Sequence, residues 1–188
     1  GEGVLKSTDA GATWTQVDQG LGNRYVGSLF MHPEAPDVLL AGTGNNQYYE
    51  DAGAYLTTDG GATWERVIAD DNVTAVEFTT DPQIAYAGSE RAVYRSEDGG
   101  RSWARLGEDN IRDAVNAVLL SPEFPEKAEI LVMVGDGLLL SRDGAQTWAE
   151  WGSGVEFGAG LTCVAAPQGV EPDAPLLVGL IDGGVLRL

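Results

Sequence analysis

Residues 57–64 read TTDGGATW, and this motif occurs four times along the 188 residues of the chain. The other copies are residues 7–14 (STDAGATW), 96–103 (SEDGGRSW) and 141–148 (SRDGAQTW). From tryptophan to tryptophan the copies are 50, 39 and 45 residues apart, as counted from positions 14, 64, 103 and 148. A recurrence at this spacing indicates a chain built from equivalent structural units.

Each copy of the motif is predicted to form a tight turn between two strands. The aspartate can accept hydrogen bonds from backbone N–H groups about two residues ahead, and the glycines that follow can adopt positive φ angles. Each tryptophan is expected to be mostly buried, and both faces of the strand that follows are expected to be covered, because an apolar residue stands three positions after the tryptophan. The turn residues are Asp9, Gly11, Trp14, Asp59, Gly61, Trp64, Asp98, Gly100, Trp103, Asp143 and Trp148.

The segments between the motifs repeat one order of strands. A small-residue-rich strand ends near a proline, a second strand follows, and a third leads into the next motif, with no useful helical periodicity. Four antiparallel strands per unit predict an all-β chain folded as a β-propeller. We expect a single partial propeller over residues 1–188, with units of approximately 1–18 (partial), 19–68, 69–107, 108–152 and 153–188 (partial).

The strand count predicts an open arc rather than a closed ring. The five units contribute two, four, four, four and three strands, 17 in all, or about four blades. Such an arc is either part of a longer propeller or completed by other copies. Its two ends would expose apolar blade faces and invite self-association.

The one cysteine and the one histidine are assigned to the scaffold. Cys163 aligns with small residues on the first strand of the other units, which predicts a small buried residue rather than a nucleophile. A single cysteine excludes an internal disulfide and leaves the compartment open. His32 directly precedes a proline and is expected to be a turn residue, without a role in catalysis. The residues aligned with Cys163 are Ser28, Ala75 and Ala117.

The composition limits the classes of partner. The chain carries 29 acidic and 11 basic residues, a net charge of −18, which opposes binding to nucleic acid. No apolar run approaches the roughly 18 residues of a membrane helix, so membrane insertion is not expected. The acidity fits either plain solubility or a cationic partner, and both interpretations remain open.

The repeated pattern S/T-x-D-x-G-x-T/S-W resembles the Asp-box (bacterial neuraminidase repeat) family over nearly the whole chain. The resemblance implies a sialidase-like β-propeller and favours an extracellular or periplasmic protein. Two departures are visible: Thr57 replaces the opening Ser, and Ala145 stands where the box normally has Gly, which is expected to strain or alter the fourth corner. Each box aspartate is used by its own turn, so neither a metal site nor a cofactor is expected.

A candidate ligand surface is predicted on the upper face of the propeller, where the connections from fourth to first and from second to third strands meet. The longest of these connections, residues 43–53, carries Tyr48, Tyr49 and Glu50, which suit either a sugar- or peptide-binding surface or a solvated loop. Paired acidic turns contribute Asp71 and Asp109, interpreted as facing carboxylates, as solvated turns, or as calcium ligands without a recognised loop spacing.

Three arginines, Arg24, Arg91 and Arg112, also fall on upper-face connections. Sialidases clamp a carboxylate with three arginines, but their Arg-Ile-Pro segment is absent, and Tyr49 and Glu50 are sequential neighbours. The alternative for each arginine is an ion pair within its own acidic loop, such as Arg112 with Asp109 or Asp113.

The leading hypothesis is therefore a non-catalytic module that binds a carbohydrate or a protein partner, similar to the Asp-box propellers of sortilin-type receptors and photosystem II assembly factors. The alternative is a fragment of a glycoside hydrolase, either sialidase-like or similar to the xyloglucan-degrading Asp-box enzymes. No catalytic residue is assigned from the sequence, and an enzyme is the less favoured interpretation.

Overall fold

A computed structural model describes residues 1–44, 50–107, 111–152, 154–171 and 173–188. All 17 regular elements among these residues are β-strands, so the chain is all-β as expected. None of the described residues forms a helix that could cross a membrane.

The strands form five antiparallel sheets, which we number along the chain. Sheet 1 contains β1 (Leu5–Lys6) and β2 (Thr15–Gln16). Sheet 2 contains β3 (Val26–Met31), β4 (Leu39–Thr43), β5 (Gly53–Thr57) and β6 (Glu65–Ala69). Sheet 3 contains β7 (Val73–Phe78), β8 (Ala85–Ser89), β9 (Val93–Ser96) and β10 (Ala104–Leu106). Sheet 4 contains β11 (Val115–Leu120), β12 (Ile130–Val134), β13 (Gly137–Ser141) and β14 (Ala149–Glu150), and sheet 5 contains β15 (Leu161–Ala165), β16 (Leu177–Leu180) and β17 (Val185–Arg187).

Every sheet is a meander in which consecutive strands pair. The first strands lie next to one another around the axis, because β3 contacts β7, β7 contacts β11 and β11 contacts β15. This radial stacking of antiparallel sheets is the architecture of a β-propeller. The fold is a partial propeller, and its sheets contain two, four, four, four and three strands, the numbers expected from the sequence.

Apolar clusters fill the spaces between consecutive sheets. We call the side of a sheet that looks toward the next sheet its forward face and the other side its backward face. Between sheets 2 and 3, for example, forward residues Leu40 and Leu56 pack against backward residues Val76 and Phe78. Since no sheet has a core of its own, burial comes from stacking neighbours.

Glycines on the second strands set the closest approach between neighbouring sheets. A Cβ on Gly42 would lie 2.7 Å from the carbonyl oxygen of Val73, and one on Gly88 would lie 2.5 Å from Cγ1 of Val115. Each neighbouring first strand also has a register irregularity near its start, between Val73 and Ala75 in β7 and between Val115 and Ala117 in β11. The glycines of the second strands thus make room for the first strand of the next sheet.

Two expectations about burial are wrong. Cys163 is exposed, because it lies at the position equivalent to Ser28 and Ala75, which look toward a following sheet, and no described sheet follows sheet 5. The outer strands are not covered on both faces, since β2 and β14 are exposed along their length. An outer strand has a pairing partner on one side only and lies at the rim of the arc.

Candidate functional site

The Asp-box turns are closed by a repeated set of hydrogen bonds. In the second box, Asp59 Oδ1 accepts from the backbone N–H of Thr63 at 2.8 Å, and Oδ2 accepts from the Thr63 hydroxyl at 2.7 Å. Thr57 Oγ1 donates to Asp59 Oδ1 at 2.8 Å and accepts from the N–H of Gly61 at 3.0 Å. The carboxylate thus reaches four residues ahead, rather than the two expected, because the hydroxyl at the start of the box takes the nearer N–H groups.

These hydrogen bonds hold the box carboxylates in the ionised form. The hydroxyls of Thr13, Thr63 and Ser102 are the main reason that the pKa values of Asp9, Asp59 and Asp98 fall to about 2. Both oxygens of each carboxylate are occupied within its own turn. The box carboxylates therefore have a structural role, which is to hold the turn between two strands in one conformation.

The fourth box accommodates alanine at the position of the glycine. Ala145 has φ of 76°, close to the 91° of Gly61, and its N–H still donates to Ser141 Oγ at 2.9 Å. The first box carries the same kind of exception one residue earlier, because Ala10 has φ of 58°. The fourth corner is therefore strained but unaltered in its hydrogen bonding.

The four box tryptophans differ in burial, contrary to the expectation that all are mostly buried. Trp64 is 5% exposed and donates from Nε1 to the carbonyl of Val17, which directly follows β2 of the preceding sheet, at 2.8 Å, whereas Trp14 is 61% exposed. Trp103 and Trp148 are half-buried. A box tryptophan packs against the preceding sheet, and no described sheet precedes sheet 1.

The box corners and the proline-containing turns meet at the end of the sheets opposite the upper face, which we call the lower face. The N–H of Gly60 donates to the carbonyl of Asp37 at 2.8 Å, and the N–H of Gly144 donates to that of Ala128 at 3.0 Å. His32 is buried in one of these turns, where its Nδ1 accepts from the N–H groups of Glu34 and Ala35. The histidine side chain therefore closes its own turn from within.

On the upper face, several of the candidate ligand residues are engaged within the scaffold. Arg24 pairs with Asp18 at 2.9 Å, which is an ion pair within its own connection. Asp71 Oδ2 accepts from the hydroxyl of Tyr94 at 2.8 Å. Glu50 is exposed, and its backbone carbonyl accepts from Asn23 at 3.0 Å.

The remaining candidates are spread along the arc. Arg91 is exposed on the turn between β8 and β9, and Arg112 is exposed on the connection into β11. Arg112 lines a cleft whose lining includes neither Arg24 nor Arg91. The candidates Tyr48, Tyr49 and Asp109 lie outside the described residues. The three arginines therefore do not meet in this cleft.

The cleft that contains Arg112 lies at the upper end of sheet 4, among the connections that lead into and out of its strands, and has a volume of about 340 Å³. Its floor is apolar: Leu138 and Trp151 are buried, and Phe157 is half-buried. The indole of Trp151 is fixed in position, because Nε1 donates to the carbonyl of Val170 at 3.0 Å.

The rim of the same cleft is charged. Asp113, Asp136 and Glu150 are exposed around it together with Arg112, so the lining includes three carboxylates and one guanidinium. Asp113 approaches Gly135 so closely that a Cβ there would lie 2.8 Å from Oδ2. An apolar floor beneath a mostly acidic rim suits a ligand that combines an apolar group with a positive charge.

Sequence reasoning missed most of this cleft. Asp136 lies in the tight turn between β12 and β13, and Glu150 ends β14, where neither belongs to a motif. One signal was present: Trp151 stands where the other units have Val17, Val67 or Leu106, and Phe157 follows in the same connection. Among the described residues, no group of three or more His, Cys, Asp or Glu side chains is arranged to hold a metal ion.

Comparisons with known proteins agree with this architecture. The family model for the BNR/Asp-box repeat matches residues 55–66. Together with the four box turns and the radial sheets, this match identifies the chain as a partial β-propeller of the Asp-box type. A search of curated proteins finds no match.

Solved propellers superpose on nearly the whole chain. A GH74 xyloglucanase from Xanthomonas campestris has a TM-score of 0.75 at 17% identity, over 99% of this chain and 33% of the enzyme. An ancestral GH74 enzyme has a TM-score of 0.73 at 17% identity, over 100% of this chain and 28% of that one. YCF48 bound to D1 peptide has a TM-score of 0.65 at 17% identity, over 97% of this chain and 57% of that one. The chain thus spans a third or less of these GH74 enzymes, and at this identity the likeness establishes the fold alone.

Proposed function

We propose that the chain is a non-catalytic binding module that receives a protein segment in the cleft at the upper end of sheet 4. The observation that carries the proposal is the pairing of a fixed apolar floor at Trp151 with an acidic rim at Asp136 and Glu150. A peptide with an apolar side chain beside a Lys or Arg satisfies both parts. The net charge of −18 adds a long-range attraction for such cationic segments.

The state of the other upper-face groups supports the same assignment. Arg24 and Asp71 already have partners within the scaffold, so binding energy from them would require breaking existing contacts. In the cleft, by contrast, the rim carboxylates are exposed above a preformed floor. A peptide-bound structure of YCF48, which has a similar fold, is consistent with a protein segment as the ligand class.

The test is a titration of short unstructured peptides followed by intrinsic tryptophan fluorescence and calorimetry. Peptides with Leu beside Arg should bind saturably, and their glutamate-for-arginine counterparts should not. Asp136→Asn combined with Glu150→Gln should weaken binding by about tenfold, since each partly exposed ion pair contributes up to about 1 kcal/mol. Glu65→Gln, which neutralises an exposed carboxylate on β6, is the matched control and should leave affinity unchanged.

Two results would contradict this proposal. One is the absence of saturable binding by any cationic peptide. The other is equal binding by the double variant and the parent chain, which would place the ligand elsewhere.

The second candidate is a fragment of a glycoside hydrolase, and it is favoured by the three carboxylates around one cleft. Acid–base hydrolysis of glycosides uses two carboxyl groups about 5–10 Å apart. We expect no turnover of xyloglucan oligosaccharides or of a fluorogenic sialoside by the purified chain. Hydrolysis that disappears in Glu150→Gln or Arg112→Ala, with folding intact, would replace the binding proposal with the enzymatic one.

A further inference from the structure

The connection from β15 to β16 packs against sheet 4 through two adjacent residues. Its described residues are 166–171 and 173–176. Val170 is 1% exposed and belongs to the apolar cluster that fills the space between sheets 4 and 5. The next residue, Glu171, is half-buried at the lower face, where Nη2 of Arg142 donates to it at 2.7 Å. An apolar contact and an ion pair therefore hold the same point of this connection against sheet 4.

Val170 links this contact to the cleft that contains Arg112. Its carbonyl is the acceptor of the hydrogen bond from Nε1 of Trp151, at 3.0 Å, that fixes the floor of the cleft. That carbonyl belongs to the same planar peptide unit as the N–H of Glu171, so a displacement of Glu171 also moves the acceptor. Trp151 is 6% exposed, and a displaced acceptor would leave its buried N–H unsatisfied. The position of the indole thus depends on the position of Glu171.

Glu171 also meets a second carboxyl group, that of Glu129, which directly precedes β12. The two side chains are hydrogen-bonded to each other, which requires that one of them holds a proton. The guanidinium of Arg142 holds the pKa of Glu171 below its usual range, whereas the hydrogen bond to Glu171 raises the pKa of Glu129 to about 7. Glu171 is therefore the charged acceptor, and Glu129 is the protonated donor.

The two members of this pair differ in how their backbones are held. The carbonyl of Glu129 accepts from the N–H of Ser121 at 3.0 Å, which ties Glu129 to the end of β11. The carbonyl of Glu171 accepts from the N–H of Ala174 at 3.0 Å, a bond within the connection itself. Repulsion between the two carboxylates would therefore displace the connection rather than sheet 4.

The surroundings of the pair let protons and charge reach it. Both side chains line a cavity of about 310 Å³ at the lower face. Among the described residues, the other charged side chains of this lining are Glu123 and Lys127, which pair at 2.9 Å, and Asp173. Lys127 is already engaged by Glu123, so a second negative charge on the pair would be only partly offset.

We propose that the connection transmits the protonation state of the pair formed by Glu129 and Glu171 to the floor of the cleft and thereby makes ligand affinity depend on pH. While Glu129 holds its proton, the connection stays against sheet 4 and Trp151 is fixed. When the proton leaves, the two carboxylates repel, and the carbonyl of Val170 moves away from the indole. The effect on a ligand rests on the proposed function, whereas the movement of Trp151 does not.

The direction of the effect follows from the pKa of Glu129. Because this pKa is higher in the folded chain than the usual value of 4.5, the fold retains the proton up to about pH 7. The contact between the connection and sheet 4 is then strongest in acid and weakens as pH rises through about 7.

The first measurement is the indole N–H resonance of Trp151 in the ligand-free chain, assigned by its absence in Trp151→Phe. Its chemical shift should change between about pH 6 and pH 8, with a midpoint near 7. Glu129→Gln should abolish the change, since the amide donates to Glu171 at every pH. Glu171→Gln should also abolish it, because no second charge then acts on Glu129. Glu126→Gln, which neutralises an exposed carboxylate on the same connection as Glu129, is the control and should titrate like the parent chain.

The second measurement is the affinity for the peptides that carry Leu beside Arg, whose guanidinium stays charged over this range. The parent chain should bind them about fivefold more weakly at pH 8 than at pH 6, the lower end of the usual coupling between two sites. Glu126→Gln should show the same ratio, and Glu129→Gln should bind equally at both pH values. Cooperative urea unfolding of each variant verifies that it is folded.

A Trp151 resonance that does not respond to pH in this range would overturn the proposal. A response of equal size in Glu129→Gln would also overturn it, since another group would then be the source. A peptide affinity that is equal at pH 6 and pH 8 in the parent chain would show that the cleft is not controlled in this way. If the resonance titrates as expected but no peptide binds, the coupling to Trp151 is supported and the proposed binding function is the part that fails.

Discussion

At the scale of single residues, the box aspartates connect stability to pH. The hydroxyl and the N–H of Thr63 stabilise the charged form of Asp59 and lower its pKa from 3.8 to about 2 in the folded chain. A group whose pKa is lower in the folded chain stabilises the fold at pH values above its pKa in the unfolded chain. This contribution to stability disappears as pH falls from about 4 toward 2.

The corresponding prediction concerns Asp59→Asn. At pH 7 the variant should unfold at lower urea concentration than the parent chain. The Asn side chain has only one oxygen that can accept hydrogen bonds, whereas both carboxylate oxygens of Asp59 accept them. The difference in the urea midpoint between the variant and the parent chain should become smaller as pH is lowered from about 4 toward 2. A gap that stays constant down to pH 2 would mean that the charge of the carboxylate makes no contribution.

A second titrating residue acts in the opposite direction. Burial raises the pKa of Glu77 to about 8, because this carboxyl lies on the forward face of sheet 3 against sheet 4. Since its pKa is above the unfolded value of 4.5, the folded chain holds a proton that the unfolded chain releases. Stability therefore falls as pH rises from about 4.5 to 8.

We expect Glu77→Gln to remove this decline. Relative to the parent chain, the variant should gain stability at pH 8 but not at pH 4, by a few kcal/mol at most, since one unit of pKa corresponds to about 1.4 kcal/mol. Urea unfolding of both chains at several pH values provides the measurement. Parallel curves across the whole range would show that Glu77 is solvated in the folded chain.

At the scale of elements, the burial of a box tryptophan depends on the preceding sheet. Trp64→Ala should cost about 3 to 5 kcal/mol, the usual range for a buried aromatic side chain, and it also removes the hydrogen bond to Val17. Trp14→Ala should cost less than about 1 kcal/mol, because Trp14 is 61% exposed. Urea titration of the two variants compares the same residue type in the same motif. Equal losses would contradict the role of the preceding sheet.

The elements were predictable from the sequence to the extent that their chemistry is local. Box hydroxyls, aspartates and glycines determine each corner within eight residues, so the strands that flank the corners follow from the motif. The burial of Cys163 and Trp14 was not predictable in this way, because it depends on which face of a sheet a neighbour covers. The cleft was missed for a related reason: Asp136, Glu150 and Phe157 are separated along the chain and come together only when the strands of sheet 4 pair.

At the scale of the whole molecule, the dominant electrostatic feature is self-repulsion among 29 acidic residues. The ion pairs offset this repulsion only weakly, since pairs such as Arg142 with Glu171 are partly exposed. Added sodium chloride should therefore raise the midpoint of urea unfolding, because the Debye length falls to about 10 Å at 0.1 M salt. A midpoint that falls with salt would show that the ion pairs outweigh the repulsion.

The stacking of sheets also determines the order in which the molecule comes apart. Each sheet is held by the sheets on either side of it, so sheet 3 has support on two sides whereas sheets 1 and 5 have it on one. In such a one-dimensional array, local opening begins at the ends and propagates inward. Amide hydrogens of β7 and β8 should thus exchange with solvent last, and those of β1 and β17 first.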